Sequence, residues 1–169
     1  ESVLMQFGRA RCVVSVPAGG DTRQASVWNG LQALPDDAEI VLIHDGARAL
    51  VTEDVITRAL HSAVEHGSGI ASVAVHDTIK RVGEENRILE TLDRGSLRAM
   101  QTPQAFRVNV IREAHRIANR DGFEGTDDAS LLEHAGIPVY VTEGSLRNIK
   151  LTTAFDMQLA QALLEDESK

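Results

Sequence analysis

Ile40-Val-Leu-Ile43 is an apolar run with no polar alternation, and it stops abruptly in His44-Asp-Gly-Ala-Arg48. Such a run reads as a strand covered on both faces, the habit of parallel sheets flanked by helices. His44, Asp45 and Arg48 then fall at the carboxyl end of a central strand. Ligands bind at that end in open α/β sheets, because the loops leaving the strands line a crevice there. An acid beside a guanidinium, with Gly46 between them to permit close backbone approach, suits a metal-nucleotide or a phosphorylated substrate. An Asp–Arg pair that only caps a turn would read the same way.

Strand and helix signals alternate around this run, as in a wound α/β sheet. Arg11 to Val16 reads as a strand. Ala18-Gly-Gly-Asp21 turns into a helix from about Thr22 to Leu34, with Asp21 as its expected N-cap. Thr52 is placed to cap a second helix that carries Glu53 and Asp54 in its first turn and ends at Gly67 to Gly69. Gly69 to Val75 is a further buried strand. Thr78 to Val82 and Arg87 to Leu92, about a polar turn with Gly83 and Asn86, form a hairpin signature. The hairpin cannot form a core of its own, so a second copy of the chain is its natural support. Ser96 to Thr102 reads as a strand, Val108 to Asn119 and Asp127 to Ala135 as helices, and Pro138 to Glu143 as a strand. A last helix runs from about Thr153 to Leu164, with Phe155, Leu159, Ala162 and Leu163 at core spacing.

One domain is expected over residues 1–169, with residues 76–95 as a protruding β-hairpin arm. The formal charge of -8 argues against a nucleic-acid or anionic-membrane surface. The single cysteine, Cys12, excludes an intrachain disulfide and any cysteine-cluster zinc site, and its apolar neighbours suit a buried thiol. No segment has the length of a bilayer span, so a cytoplasmic protein is expected.

The strand ends together give a polar set: Gly20-Asp21 with Ser26, Asp45 with Arg48, Asp77-Thr78, Thr102, Thr126 and Lys150. Hydroxyls, helix N-termini and cations are the usual partners of phosphate oxygens, and Arg94 can add charge from the arm. Local readings stand beside this. Asp21 is at least a helix cap, Thr126 with Asp127 and Asp128 is an N-terminal helix signature in its own right, Ser130 and Thr152 suit local capping, and His44 reads as a core histidine or a proton carrier. Lysine inside Ile149-Lys-Leu151 is costly to bury without an anion.

These residues occur in collinear motifs: Ala18-Gly-Gly-Asp-Thr-Arg-Gln-Ala-Ser-Val27, His44-Asp-Gly-Ala-Arg48, Asp77-Thr-Ile-Lys80, Asp93-Arg94, Gln101-Thr-Pro-Gln104, Thr126-Asp-Asp-Ala-Ser130 and Asn148-Ile-Lys150. Together they resemble the 2-C-methyl-D-erythritol 4-phosphate cytidylyltransferases of the non-mevalonate isoprenoid pathway, over nearly the whole chain. The resemblance implies a Rossmann-like, mostly parallel sheet and transfer of CMP from CTP to methylerythritol phosphate, with Mg²⁺ and release of pyrophosphate. Such catalysis is mainly positioning and charge neutralisation around an in-line displacement. It also implies roles by position. Gly20, Asp21 and Ser26 match residues that recognise cytidine, Gly46 a small residue beside the nucleotide, and Asp45 the acid near the metal. Arg48, Thr102, Thr126 and Lys150 match positions around the acceptor and the transferring phosphate, with Asp45, Arg48 and Lys150 closest to the chemistry. Thr78 and Arg94 match arm residues that reach the site of the other subunit in a homodimer.

Two departures stand out. Ala49 occupies a position where the family usually has proline. The family's opening strand and glycine-rich CTP loop are not found in these residues, so the chain is expected to be a C-terminal portion, inactive by itself. Three other readings compete: a cytidylyltransferase for another polyol phosphate such as ribitol 5-phosphate, a phospho-receiver domain with Asp45 as acceptor, and an inactive dimerisation piece. The receiver reading lacks an acidic pair after the first strand, where Val16-Pro-Ala-Gly-Gly20 stands.

Overall fold

A computed structural model of the chain describes residues 15–167. Cys12 and most of the strand expected over Arg11–Val16 lie outside them, and Ser15 and Val16 are irregular and exposed. Thr22 is extended and accepts the Ala25 amide at 3.1 Å, which starts α1 (Arg23–Gln32). Asp21 is therefore not the cap. It stands one residue too early to reach the free amides of the first turn, and it is exposed.

β1 (Ile40–Ile43) follows, then α2 (Glu53–His66), which opens after Thr52 with two acids and is closed by Gly67. Val55, Ala59 and Ala63 are fully buried on one side of α2, and Ala59 and Ala63 cluster with Ala105 of the sheet. Small residues let the helix come close. A Cβ at Gly69, in β2 (Ser68–Ala74), would lie 2.2 Å from the Ala59 carbonyl oxygen, so only glycine fits beneath that turn.

The expected arm is present as β3 (Lys80–Val82) paired antiparallel with β4 (Ile88–Thr91). All of its strand residues are exposed, including Val82, Ile88 and Leu89. The chain returns through β5 (Arg98–Arg107), α3 (Val108–Asp121), α4 (Asp128–His134), β6 (Val141–Glu143) and α5 (Ala154–Glu167).

The main sheet has the order β1-β5-β2-β6. β1, β2 and β6 run in one direction, while β5 lies antiparallel between β1 and β2. Its reversal follows from the arm. β2 leads out to the hairpin and β5 leads back beside it, a return that needs no crossover helix. Among the described residues β1 is thus an edge strand, half-buried rather than covered on both faces.

Phe106 and Ile70 face the larger core, with Leu31 of α1, Ile111, Ala114 and Ala118 of α3, and Leu131 and Leu132 of α4. α2 covers the other face. The core spacing expected in α5 is not realised: Phe155 is 70% exposed and Leu159 38%, whereas Ala160 is buried. Apolar residues occur almost all round this helix, so its periodicity selects no single face. No helix among the described residues is long and apolar enough to cross a membrane.

Candidate functional site

Asp45 leaves the carboxyl end of β1 with its side chain 17% exposed, and three cations surround it. Lys150 Nζ lies 3.1 Å and Arg48 Nε 3.5 Å from Oδ2, and Arg23 Nε lies 3.9 Å from Oδ1. Burial is the largest single influence on this carboxyl and opposes its charge. The Lys150 hydrogen bond, with the charges of Lys150, Arg23 and Arg48, outweighs it and holds the carboxyl below the ordinary carboxylate value. Lysine at position 150 thus has the anionic partner the sequence called for. It is not buried, however, being 47% exposed.

Backbone irregularity turns the remaining groups toward Asp45. Opposite β2, the register of β5 shifts between Gln104 and Met100, so that Gln101-Thr-Pro103 stand against Ala71. Pro103 has no amide to give the ladder, and a bulge of this kind re-aims side chains. Here Thr102 Oγ1 accepts the Asp45 amide at 3.0 Å and lies 2.9 Å from His44 Nδ1. The other ring nitrogen of His44 sits 3.0 Å from the Arg48 carbonyl oxygen. His44 is exposed and bridges the loop, so it is not a core histidine.

Buried Asn148 ties the loop carrying Lys150 to this bulge. Its side-chain amide donates to the Thr102 carbonyl at 2.8 Å, and its own carbonyl accepts Arg48 Nη1 at 2.7 Å. Gln101 adds bonds to the carbonyls of Ser145 and Asn148. Arg48 is thereby clamped from both ends, yet its buried Nε has no hydrogen-bond partner among the described residues. A donor held in this way, beside a carboxylate and a lysine, is suited to an anionic oxygen.

Gly20 and Ser26 meet at the start of α1, where the Gly20 amide donates to Ser26 Oγ at 3.0 Å. A Cβ at Gly20 would stand 2.5 Å from that of Ala25, so the turn requires glycine. Asp21 is exposed beside it, and Gly46 faces open space. Thr126 is exposed ahead of α4, which Asp127 caps through the Ser130 amide at 3.0 Å in a capping box. Ser130 is thus a local capping residue, as is Thr152, which donates to Asp156.

Asp45, Arg48, Thr102 and Lys150 therefore form one network, with Gly20 and Ser26 at the start of the helix that brings Arg23 to it. Thr78 and Arg94 do not join it by any hydrogen bond or ion pair among the described residues. Arg94 donates instead to the His76 carbonyl at 2.5 Å, at the root of the arm.

The sequence reading missed Arg23, Asn148, Gln104 and Asp128. Gln104 Oε1 accepts the amides of Asp128 and Ala129, and its amide donates to Asp127, which fastens the start of α4 to β5. One signal was available: Arg23 is a cation in the first turn of a helix that has no acid there. That position is unfavourable against the helix dipole and calls for anions from elsewhere.

The family model IspD: 2-C-methyl-D-erythritol 4-phosphate cytidylyltransferase matches residues 2–166. The 2-C-methyl-D-erythritol 4-phosphate cytidylyltransferase of Geobacillus kaustophilus is 49% identical over 164 residues, which cover 97% of this chain and 71% of that protein. That of Geobacillus thermodenitrificans is 52% identical over 161 residues, covering 95% and 70%. Among solved structures, the enzyme of the same name from Thermus thermophilus aligns with a TM-score of 0.79 and 38% identity, over 87% of this chain and 71% of its own. The 4-diphosphocytidyl-2C-methyl-D-erythritol synthase of Anaerococcus prevotii aligns with a TM-score of 0.82 and 32% identity, over 87% and 68%.

Proposed function

The chain belongs to the 2-C-methyl-D-erythritol 4-phosphate cytidylyltransferase family, and from that premise we propose that the Asp45 crevice is where it transfers CMP from CTP to methylerythritol phosphate. The observation that carries this reading is the convergence of Arg23, Arg48 and Lys150 on one carboxylate at the end of β1. Two anionic substrates meet in this reaction, and a cluster with more cations than carboxylates offsets their repulsion. A phosphate oxygen of the acceptor attacks the α-phosphorus of CTP. The new P–O bond forms as the bond to the β-phosphate breaks, and pyrophosphate leaves with that electron pair.

Lys150 and Arg48 neutralise the transferring phosphate, and Thr102 and Thr126 hold the acceptor side. Gly20, Asp21 and Ser26 receive the cytidine, and Gly46 leaves room for the nucleotide. Asp45 is the carboxylate that would hold a divalent cation. No group of three or more His, Cys, Asp or Glu side chains suited to a metal occurs among the described residues. Asp45 Oδ1, with Arg23 Nε 3.9 Å away, suits Mg²⁺ held through one carboxylate, water and substrate phosphates, where it would supply charge neutralisation.

Thr78 and Arg94 stand apart from their own Asp45 network, which supports a homodimer whose exposed arm brings them to the second subunit. We also assign the chain to one domain and to the cytoplasm. Family membership does not favour the phospho-receiver or non-catalytic readings.

The test is ³¹P NMR, with CTP, Mg²⁺ and either methylerythritol 4-phosphate or ribitol 5-phosphate, of these residues joined behind the opening strand and glycine-rich CTP loop of a family member. Formation of diphosphocytidyl-methylerythritol and pyrophosphate is expected. Faster turnover of ribitol phosphate at equal concentration would reassign the acceptor, and no turnover of either would overturn the proposal.

A further inference from the structure

Arg23 also meets a second carboxylate, one with almost no access to water. Asp128 opens α4 with its side chain 1% exposed, and its Oδ2 accepts Arg23 Nη2 at 2.6 Å. Its Oδ1 is buried and has no hydrogen-bond partner among the described residues. His115 Nε2 lies 3.7 Å from it. His115 is completely buried in α3, neither of its ring nitrogens has a hydrogen-bond partner among the described residues, and its ring stacks on Trp28 of α1 with centroids 5.6 Å apart. An ionised carboxylate in such surroundings depends on its one strong partner, because burial without pairing is costly. Arg23 is therefore held between two carboxylates of unlike kind, a dry one at hydrogen-bond distance and the crevice acid at 3.9 Å.

We infer that Asp128 is a positioning residue for nucleotide binding: it draws the Arg23 guanidinium back from Asp45, so that both groups keep a face open to CTP and its metal. This rests on the function proposed above. Without the anchor, a guanidinium in the unfavourable first turn of α1 has Asp45 as its nearest remaining anion. It would close on Asp45 Oδ1 and occupy the oxygen that Lys150 and Arg48 leave free. The exposed part of Arg23, whose side chain is 37% accessible, would then turn from the phosphates toward the protein.

The test compares the loop-bearing protein described above with its Asp128→Ala, Arg23→Gln and double variants. Asp128→Ala is expected to raise KM for CTP by roughly ten- to hundredfold, the range for loss of a hydrogen bond to a charged group. KM for the acceptor should change less than twofold. If Asp128 acts through Arg23, the double variant will be no worse than Arg23→Gln alone, and it will melt higher than Arg23→Gln, which leaves the buried carboxylate unpaired. Independent, multiplying effects on KM would overturn the inference, as would a lower Tm with KM for CTP unchanged. Should Asp128→Ala fold poorly, Asp128→Asn keeps the shape and is read in the same way, with a smaller effect. A crystal structure of the folded variant gives a readout free of activity. The guanidinium is expected within hydrogen-bond distance of Asp45, and its staying in place sinks the inference. Inactivity of the loop-bearing parent would instead sink the proposed function and leave this structural outcome to be judged separately.

Discussion

Replacing Asn148 by alanine should damage stability and catalysis through one set of bonds. Asn148 is fully buried, and its side-chain amide meets the Thr102 carbonyl at 2.8 Å and Gln101 Oε1 at 3.3 Å. Gln101 Oε1 also accepts the Ser145 amide, so it is not left empty by the change. The Thr102 carbonyl loses its amide inside the bulge, which costs about 1–3 kcal/mol. Asn148 Oδ1 already lacks a partner, and removing it returns part of that cost. A net loss of about 2 kcal/mol follows. For a chain of this size that is a fall in Tm of roughly 4–8 °C. The same substitution frees the bulge from the loop that carries Arg48's acceptor and Lys150. kcat/KM should therefore fall by more than the folded fraction explains, when activity is assayed well below the transition. Urea unfolding of both proteins gives the stability change. A loss under about 0.5 kcal/mol with normal activity would refute the claim that Asn148 fastens Lys150 to β5.

Gly69→Ala would put a Cβ 2.2 Å from the Ala59 carbonyl oxygen and 2.8 Å from Ser62 Cβ. Calorimetry should register a loss of about 1–3 kcal/mol, as for other overpacked cores, and an unchanged Tm would show that α2 yields freely. Arg48→Lys keeps the charge but cannot both reach the Asn148 carbonyl and present a second donor beside Asp45, so kcat/KM should drop by roughly ten- to hundredfold in a pyrophosphate-release assay; retained activity would mean that charge alone suffices. The amides of Thr152 and Thr153, with their hydroxyls, hold the Asp156 carboxyl down to about 2, from 3.8. Its folded-state value is depressed, so its stabilising contribution is complete above 3.8 and is lost as pH falls toward 2. Thermal unfolding should accordingly separate wild type from Asp156→Asn at pH 6 and bring them together near pH 2; a pH-independent gap would reject this account. If the arm forms the proposed homodimer, wild type sediments as a dimer and Ile88→Arg as a monomer; a wild type that sediments as a monomer would reject the homodimer, and a dimer unchanged by Ile88→Arg would place the interface elsewhere.

Local signals in the sequence were enough to find Asp45, Arg48, Thr102 and Lys150, because each marks an apolar strand or stretch giving way to polar chain. Their mutual arrangement was harder to read. Arg48 meets Asn148 across 100 residues of sequence and Arg23 meets Asp128 across 105, so no short pattern pairs them. Pro103 hid the second half of β5, since proline normally argues against a continuing strand, and the bulge that admits it became visible only in the register. Asp21 and Thr22 both have capping side chains, and composition alone did not choose between neighbours. α5 misled for a different reason: with apolar residues on nearly every side, its spacing fits several packings equally well.

β5 runs between β1 and β2, so the loops that leave those two strands are separated by two hydrogen-bonded spacings, about 10 Å. Backbone pairing fixes that separation, and no exchange of side chains can widen it without unzipping a ladder. Mutation can alter the polarity of the walls but hardly the span between them. Under the proposed function, preference for one polyol phosphate over another would therefore be written in the reach and charge of the bordering residues, with a change of acceptor size met by shortening or lengthening side chains over a floor that does not move.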